Sequence, residues 1–173
     1  MQVMTTLPQE NLNDVPQAAR NAEMIGFDMV ATMENRYEPF MPLAAAAIST
    51  KTINIGTAVA IAFPRSPMVV ASTCWDLNNA SGGRFVLGLG PQIKPHNEKR
   101  FSVPWSPPAP RIREYVMALR AIWKNWEHGE KLDFRGEHYT FTLMTPNFVP
   151  VSTHQAPIPV TIAAVGPHTL KLA

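Results

Sequence analysis

The sequence of 173 residues contains a single cysteine, Cys74, and so can form neither an internal disulfide nor a thiolate metal site. Acidic and basic residues nearly balance, and the formal net charge of +2 excludes the basic excess that nucleic-acid binding requires. The longest apolar stretch, residues 42–48, is far shorter than the roughly 20 residues that cross a bilayer. The amino terminus has no basic region ahead of an apolar one, as a signal peptide would. These absences predict a soluble, cytoplasmic protein with no nucleic-acid, membrane or metal partner.

Apolar residues and proline are abundant instead. Hydrophobic residues make up 46% of the chain, enough for one good core, and we expect a single domain over residues 1–173. The 17 prolines are about twice the usual share, and ten of them fall between Pro91 and Pro159, which predicts an irregular region that begins with the proline-rich stretch 91–110.

Helical and strand periodicities alternate along the chain. After a short apolar opening at residues 1–6, strands are predicted at 27–32, 53–63, 84–89 and 159–165. Helices are predicted at 15–25, 39–48, 67–77 and 112–126, with a last helix that begins at Pro167. A small hairpin at 132–134 and 139–143 stands outside this alternation. The short connections favour parallel strands joined by helices, which is the α/β class.

The size of the repeating unit leaves two architectures open. Five strand-helix units in this chain average about 35 residues each, and eight such units would make a (β/α)8 barrel of roughly 280 residues. The chain is therefore either a finished, open, doubly wound sheet of five strands or the first half of a barrel.

In both architectures ligands gather at the carboxyl ends of the strands, so the candidate positions are residues 34–36, 58–65, 88–96 and 164–166. The even positions of strand 53–63 carry only small or short side chains, so either a flat ligand approaches this bare face or neighbours fill a crowded barrel interior. Gly88 and Gly90 suggest a dinucleotide fingerprint, but Ile93 occupies the third glycine position and no helix begins there. Gly166, at the start of the last helix, is either a phosphate or carbonyl site with free N–H groups or a plain turn glycine.

Polar side chains near the same strand ends give weaker signals. Glu34 follows the second strand and could accept a hydrogen bond from a cofactor ring, although a single loop carboxylate is more often exposed. A local basic cluster either suits an anionic tail or is a solvated loop; it comprises Lys94, His96, Lys99 and Arg100. Because no histidine spacing fits a metal and no nucleophile-base pair is recognisable, we expect any reaction to depend on a bound cofactor.

Four segments resemble successive parts of one enzyme family. They read IGTAVAIAFPRSPMVVA, SGGRFVLGLG, PHNEKRFSVPWS and PVTIAAVGP. With a similarity that runs from residue 1 to residue 173, the chain resembles the luciferase-like monooxygenase family, and most closely its branch of oxidoreductases that use the deazaflavin coenzyme F420. The resemblance implies a partial (β/α)8 barrel of about five units, with a hairpin inserted before strand five. The implied reaction is hydride transfer between coenzyme F420 and a small organic substrate.

The resemblance also implies the residues that bind the cofactor. The third strand of the family ends in a bulge with a cis peptide behind the coenzyme ring, and the match falls on Ala58 and Val59. The acid after strand two corresponds to Glu34. The other implied contacts follow strands four and five, at Gly90, Gln92, Ala164, Val165 and Gly166. Some F420-dependent members have a histidine where this sequence has Asn35, so no acid-base residue is assigned, and His96 on a neighbouring loop is the substitute candidate.

Two alternatives remain at this stage. The first is an FMN-dependent monooxygenase of the same family, since FMN is also a flat tricyclic ring with a phosphate-bearing tail. The second is a truncated, non-catalytic fragment whose first and fifth strands are unpaired edges, which would favour aggregation, a homodimer or a borrowed partner.

Overall fold

The computed structural model describes residues 1–151 and 157–173. The helices in this part of the chain are α1 Val15–Ile25, α2 Phe40–Ser49, α3 Pro67–Ser81, α4 Pro108–His128 and α5 Pro167–Leu172. The strands are β1 Met4–Thr6, β2 Met29–Thr32, β3 Asn54–Thr57, β4 Ala60–Ile61, β5 Phe85–Gly90, β6 Phe134–Arg135, β7 Thr140–Phe141 and β8 Val160–Ile162. Over these residues, no helix has both the length and the apolar character that crossing a membrane demands.

The main sheet is entirely parallel, which confirms the α/β class. Its strands follow the order of the chain, β1-β2-β3-β5-β8, and β4 extends the line of β3 along β5. A doubly wound sheet reverses its strand order at one point, and this sheet does not. The order is that of the first five units of a (β/α)8 barrel, left open between β1 and β8 in the described residues.

The helices form one layer in which each contacts the next, from α1 through α4. The helix-facing side chains of the strands are fully buried against this layer, among them Val30, Ile55, Phe85, Leu87 and Leu89. Cys74, Trp123 and Trp126 belong to the same buried cluster. The opposite face of the sheet carries small side chains and partly exposed ones such as Met29 and Val86. The sheet is therefore packed against helices on one side.

Helix boundaries follow local sequence signals. The Ser66 hydroxyl caps α3 by accepting a hydrogen bond from the Met68 N–H at 3.2 Å. Gly82 and Gly26 end α3 and α1 in the left-handed conformation, with φ of 66° and 98°. Helix α3 runs past Leu77 to Ser81 and ends at Gly82, where the residues Ser81, Gly82 and Gly83 predict its stop.

The predicted continuous strand 53–63 is wrong, because a β-bulge interrupts it. Gly56 of β3 is in register with Val86, whereas Ala60 of β4 is in register with Leu89. The chain from β3 to β4 therefore uses one residue more than β5 over this interval. Within the bulge the Thr57 hydroxyl donates to the Gly88 carbonyl at 2.7 Å and accepts from the Gly88 N–H at 2.9 Å. These bonds replace the missing rungs of the ladder.

The bulge also reverses the alternation of side chains. Ile55 packs in the helix-facing core before the bulge, and Ala60 and Ala62 do so after it, while Ile61 turns to the other side. The prediction that every even position forms one bare face is therefore wrong beyond residue 58. A one-residue slip exchanges the two faces of a strand.

Three later predictions are corrected in their bounds. The region 91–110 is not wholly irregular, because His96–Arg100 forms a π turn and α4 begins at Pro108, where prolines are tolerated in a first turn. The hairpin is confirmed but is only two residues long on each side. The fifth strand is β8, which ends at Ile162, so Ala164 and Val165 lie beyond it. Part of the loop before it, residues 152–156, lies outside the described residues.

The Glu23 carboxylate binds the backbone that leads into β3, at the amino ends of the strands. It accepts the backbone N–H groups of Thr52, Ile53 and Lys51 at 2.6, 3.0 and 2.8 Å. Desolvation raises the pKa of Glu23, but these hydrogen bonds together outweigh it and lower the pKa to about 2.

Glu23 should therefore contribute a pH-dependent part of the stability. Because the pKa falls from 4.5 to about 2 on folding, the stabilisation is full above about pH 5 and is lost as the pH falls toward 2. We expect Glu23→Gln to lower the free energy of unfolding by about 1 kcal/mol at pH 7 and by almost nothing near pH 2. Urea unfolding of both proteins across this range measures the difference, and a difference that does not change with pH would contradict this role.

Candidate active site

A cleft of about 530 Å³ lies at the carboxyl ends of the main sheet. Its walls come from the ends of β2, β4 and β5 and from the segment between β8 and α5. Seven residues that the sequence singled out line this one cleft: Glu34, Ala58, Val59, Gly90, Gln92, Val165 and Gly166. The structure thus brings together residues that are up to 132 positions apart in the chain, between 34 and 166.

The floor of the cleft is built from small side chains. Ala58 and Val59 form it where the bulge turns, and the peptide bond between them is cis, as the resemblance implied. Gly90 at the end of β5 and Ala163 just after β8 continue the floor. A Cβ atom at Gly90 would lie 2.7 Å from Cγ2 of Val59, so a larger residue at position 90 would displace the Val59 side chain. The lining that results is mainly apolar.

Glu34 lies at the edge of the cleft, and its carboxylate is hydrogen-bonded to neighbouring residues of the chain. Its Oε2 accepts hydrogen bonds from the Ile61 N–H and from Nη1 of Arg65, both at 2.7 Å. Arg65 Nη1 also donates to the Ile61 carbonyl at 3.0 Å. Only 7% of the Glu34 side chain is exposed. The sequence suggested a free acceptor here, and the structure shows a buried ion pair tied to β4.

The turn after β5 gives the cleft a polar rim. Gln92 has a left-handed backbone with φ of 59°, which is uncommon for a residue other than glycine. Its Oε1 accepts from the Ile93 N–H at 2.9 Å. Buried Asn97 holds the turn from behind, since its Nδ2 donates to the carbonyls of Pro91 and Ile93 at 3.0 and 3.1 Å. The loop is thereby fixed in shape beside the floor.

The segment after β8 differs from the expected anion site. Helix α5 has only six residues, and the Gly166 N–H donates to the Thr169 hydroxyl at 3.3 Å. The expectation of a free N–H at Gly166 is therefore wrong. Val165 is 95% exposed at the cleft wall, whereas Ala164 is not part of the lining.

His96 and the basic cluster lie outside the cleft lining. His96 is exposed at the start of the π turn. Lys94 is 3.9 Å from Glu98, and Arg100 donates to the carbonyl of Asn35 at 2.8 Å. In residues 1–151 and 157–173, no three His, Cys, Asp or Glu side chains gather as metal ligands would.

Some lining residues lie outside the segments predicted from the sequence, among them Pro108, Met33 and Ala163, whereas Ile61 falls inside segment 58–65. Ile61 reaches the cleft only because of the bulge, and Pro108 only because α4 starts early enough to border it. Met33 and Ala163 flank residues that were predicted, and strand ends alone would have suggested them. The resemblance implied the bulge, and the signal for it in the residues themselves is Gly88, because a glycine inside a central strand often marks a bulge or a close backbone approach.

A second cavity, of about 580 Å³, lies between α4, β8 and α5. Arg113 and Arg120 border it, and it contains no residue of β2 through β5. It therefore lacks the ends of β2, β4 and β5 and the floor of short side chains that distinguish the first cleft.

Comparisons with known proteins identify the family of this chain. The family model for luciferase-like monooxygenase matches residues 1–173. The chain is 53% identical over 150 residues to the uncharacterized protein Rv1360 of Mycobacterium tuberculosis (strain H37Rv), covering 86% of this chain and 44% of that protein. It is 31% identical over 169 residues to the 5,10-methylenetetrahydromethanopterin reductase of Archaeoglobus fulgidus, covering 96% of this chain and 48% of the reductase. The chain thus spans about half the length of these relatives.

Solved structures show the same fold at lower identity. An F420-dependent secondary alcohol dehydrogenase in complex with an F420-acetone adduct matches with a TM-score of 0.76 and 22% identity, over 100% of this chain and 56% of that one. The FMN-bound oxygenating constituent of 3,6-diketocamphane monooxygenase from Pseudomonas putida matches with a TM-score of 0.73 and 16% identity, over 94% of this chain and 51% of that one. With the family model matched over its whole length, this chain belongs to the luciferase-like monooxygenase family.

Proposed function

We propose that this chain forms part of an oxidoreductase in which the cleft holds the ring of coenzyme F420 against Ala58 and Val59. The observation that carries the proposal is the floor of short side chains at the strand ends, formed by Ala58, Val59, Gly90 and Ala163. The substrate we propose is a small organic molecule on the open side of the ring. Because relatives of known activity are about twice as long, we propose the activity for an enzyme that includes further barrel strands.

The residues present fit a flat, largely apolar ring. Ile61, Ile93 and Val165 supply apolar walls above the floor, and Gln92 and Asn35 place amide groups at the rim. A ring that is apolar in the middle and polar at its edge suits such a lining. When bound, the deazaflavin would supply two-electron hydride chemistry. The role of the chain is to position the ring and to exclude water from one of its faces.

The described residues provide no obvious acid or base for this reaction. Glu34 is the charged residue of the cleft lining, and its carboxylate is bonded to Arg65 and Ile61. Asn35 and Gln92 do not titrate, and His96 is exposed outside the lining. We therefore assign these side chains to shape and polarity rather than to proton transfer.

The choice between F420 and FMN is part of the proposal. Rv3520c of Mycobacterium tuberculosis, a relative at 31% identity that is named as a coenzyme F420-dependent oxidoreductase, favours the F420 branch over the monooxygenase branch. We expect the protein to quench or shift the fluorescence of F420 in a saturable way, with at least about tenfold tighter binding than FMN, a difference of about 1.4 kcal/mol. Fluorescence titration with each coenzyme measures both constants. Tight FMN binding with no response to F420 would overturn the assignment in favour of a flavin monooxygenase.

A further inference from the structure

We propose that Glu34 is a positioning residue that holds the bulge in place through Ile61 and Arg65, and does not itself contact the coenzyme. The effect on coenzyme binding rests on the proposed function, whereas the effect on the bulge does not. The expectation from the sequence had been an acceptor facing the ring. The hydrogen bonds of Glu34 to Val59 and Ile61, on either side of Ala60, lead to a different role.

Glu34 forms hydrogen bonds with the bulged strand at two points. Its backbone N–H donates to the Val59 carbonyl at 3.3 Å, and its carboxylate accepts the Ile61 N–H at 2.7 Å. The two points enclose Ala60, the residue at which pairing with β5 resumes. Between Gly56 and Ala60 the chain lacks a regular ladder with β5, so contacts from the β2 side carry more of the restraint on this stretch.

Arg65 completes the arrangement by balancing the buried charge. Its guanidinium lies 2.7 Å from the same Glu34 oxygen and donates to the Ile61 carbonyl, so both polar backbone groups of Ile61 are held by one ion pair. Arg65 is in turn fixed by Glu38 at 3.5 Å and by the ring of Phe40, whose centroid is 5.6 Å from the guanidinium carbon. A buried carboxylate with its partner and its hydrogen bonds in place is a rigid support.

The support acts on the walls of the cleft. Ile61 lines the cleft, and Val59 belongs to its floor, so a shift of either backbone moves the surface on which a flat ring would lie. Displacements of about 1 Å in a binding constellation are costly for function. Glu34 therefore affects the cleft through the two residues that it holds, without needing a contact to the ligand.

The test compares Glu34→Ala and Glu34→Gln with the wild-type protein by hydrogen exchange and coenzyme titration. Glu130→Gln is the matched control, because Glu130 pairs with Lys124 at 2.9 Å on the surface with both side chains more than half exposed. We expect the Ile61 amide of Glu34→Ala, without coenzyme, to exchange at least tenfold faster than in the wild type, while the Leu87 amide is unchanged. Glu34→Gln keeps an acceptor for the Ile61 N–H and should show an intermediate effect.

Coenzyme F420 provides the second readout. We expect its dissociation constant to rise at least tenfold in Glu34→Ala, less in Glu34→Gln and not at all in Glu130→Gln. Unchanged exchange at Ile61 in Glu34→Ala would overturn the support of the bulge, and faster exchange with unchanged F420 affinity would overturn its link to the cleft. If the wild type binds no F420, the proposed function fails, and exchange at Ile61 still decides whether Glu34 holds the bulge.

Discussion

Replacing Gly88 with alanine should lower the free energy of unfolding by about 3 kcal/mol, close to the upper end for overpacked cores. A Cβ atom there would lie 3.0 Å from the carbonyl carbon of Thr57 and closer still to its oxygen. Backbone atoms of a central strand cannot move aside as a flexible side chain can. The methyl group would also push apart the two hydrogen bonds that join the Thr57 hydroxyl to Gly88. Urea unfolding followed by circular dichroism measures the loss.

Gly166→Ala is the control for this substitution. Its φ is −100°, and the nearest atom to an added Cβ is the Thr169 hydroxyl at 3.9 Å, which is ordinary contact. We expect its stability to stay within about 0.5 kcal/mol of the wild type. A Gly88→Ala protein as stable as Gly166→Ala would show that β3 and β5 do not approach as closely as described.

Replacing Ala163 with leucine should weaken coenzyme binding by about 100-fold, or about 3 kcal/mol. Ala163 borders the floor of the cleft, so the added carbons would occupy the space that a flat ring needs. The residue is only partly buried and follows the end of β8, and the effect on folding should therefore be small. Titration with F420 gives the affinity, and thermal unfolding shows whether the fold is intact.

Ala164→Leu is the paired variant, one position further along. Ala164 is partly buried as well, but it is not part of the cleft lining. We expect it to bind F420 within a few-fold of the wild type. The reverse ranking of the two variants would place the ring against Ala164, as the resemblance alone implied, and would contradict the floor described above.

The repeating architecture could be predicted from the residues because its signals are local. Gly26 and Gly82 end helices, Ser66 begins one, and apolar periodicity separates helices from strands, so the α/β order follows without tertiary information. The same local pattern could not choose between a barrel and a doubly wound sheet. That choice depends on strand order, which the sequential pairing from β1 to β8 settles.

The site was harder to predict because its shape depends on contacts between distant residues. The slip between Gly56 and Ala60 arises from the pairing of Thr57 with Gly88, 31 positions away, and alternating small residues looked like one uninterrupted strand. The charge of Glu34 is balanced by Arg65, 31 positions away, and no local pattern pairs these two residues. The cis bond at Ala58 was anticipated only through the resemblance.

The most direct test of a ring lying on the floor of the cleft is methyl NMR of the protein titrated with coenzyme F420. An aromatic ring shifts the signals of the methyl groups beneath it, so Ala58, Val59 and Ile61 should show the largest changes at saturation. Leu43 and Val70, buried in the helix-facing core, should not move. Saturable binding with unchanged signals from Ala58 and Val59 would contradict the account.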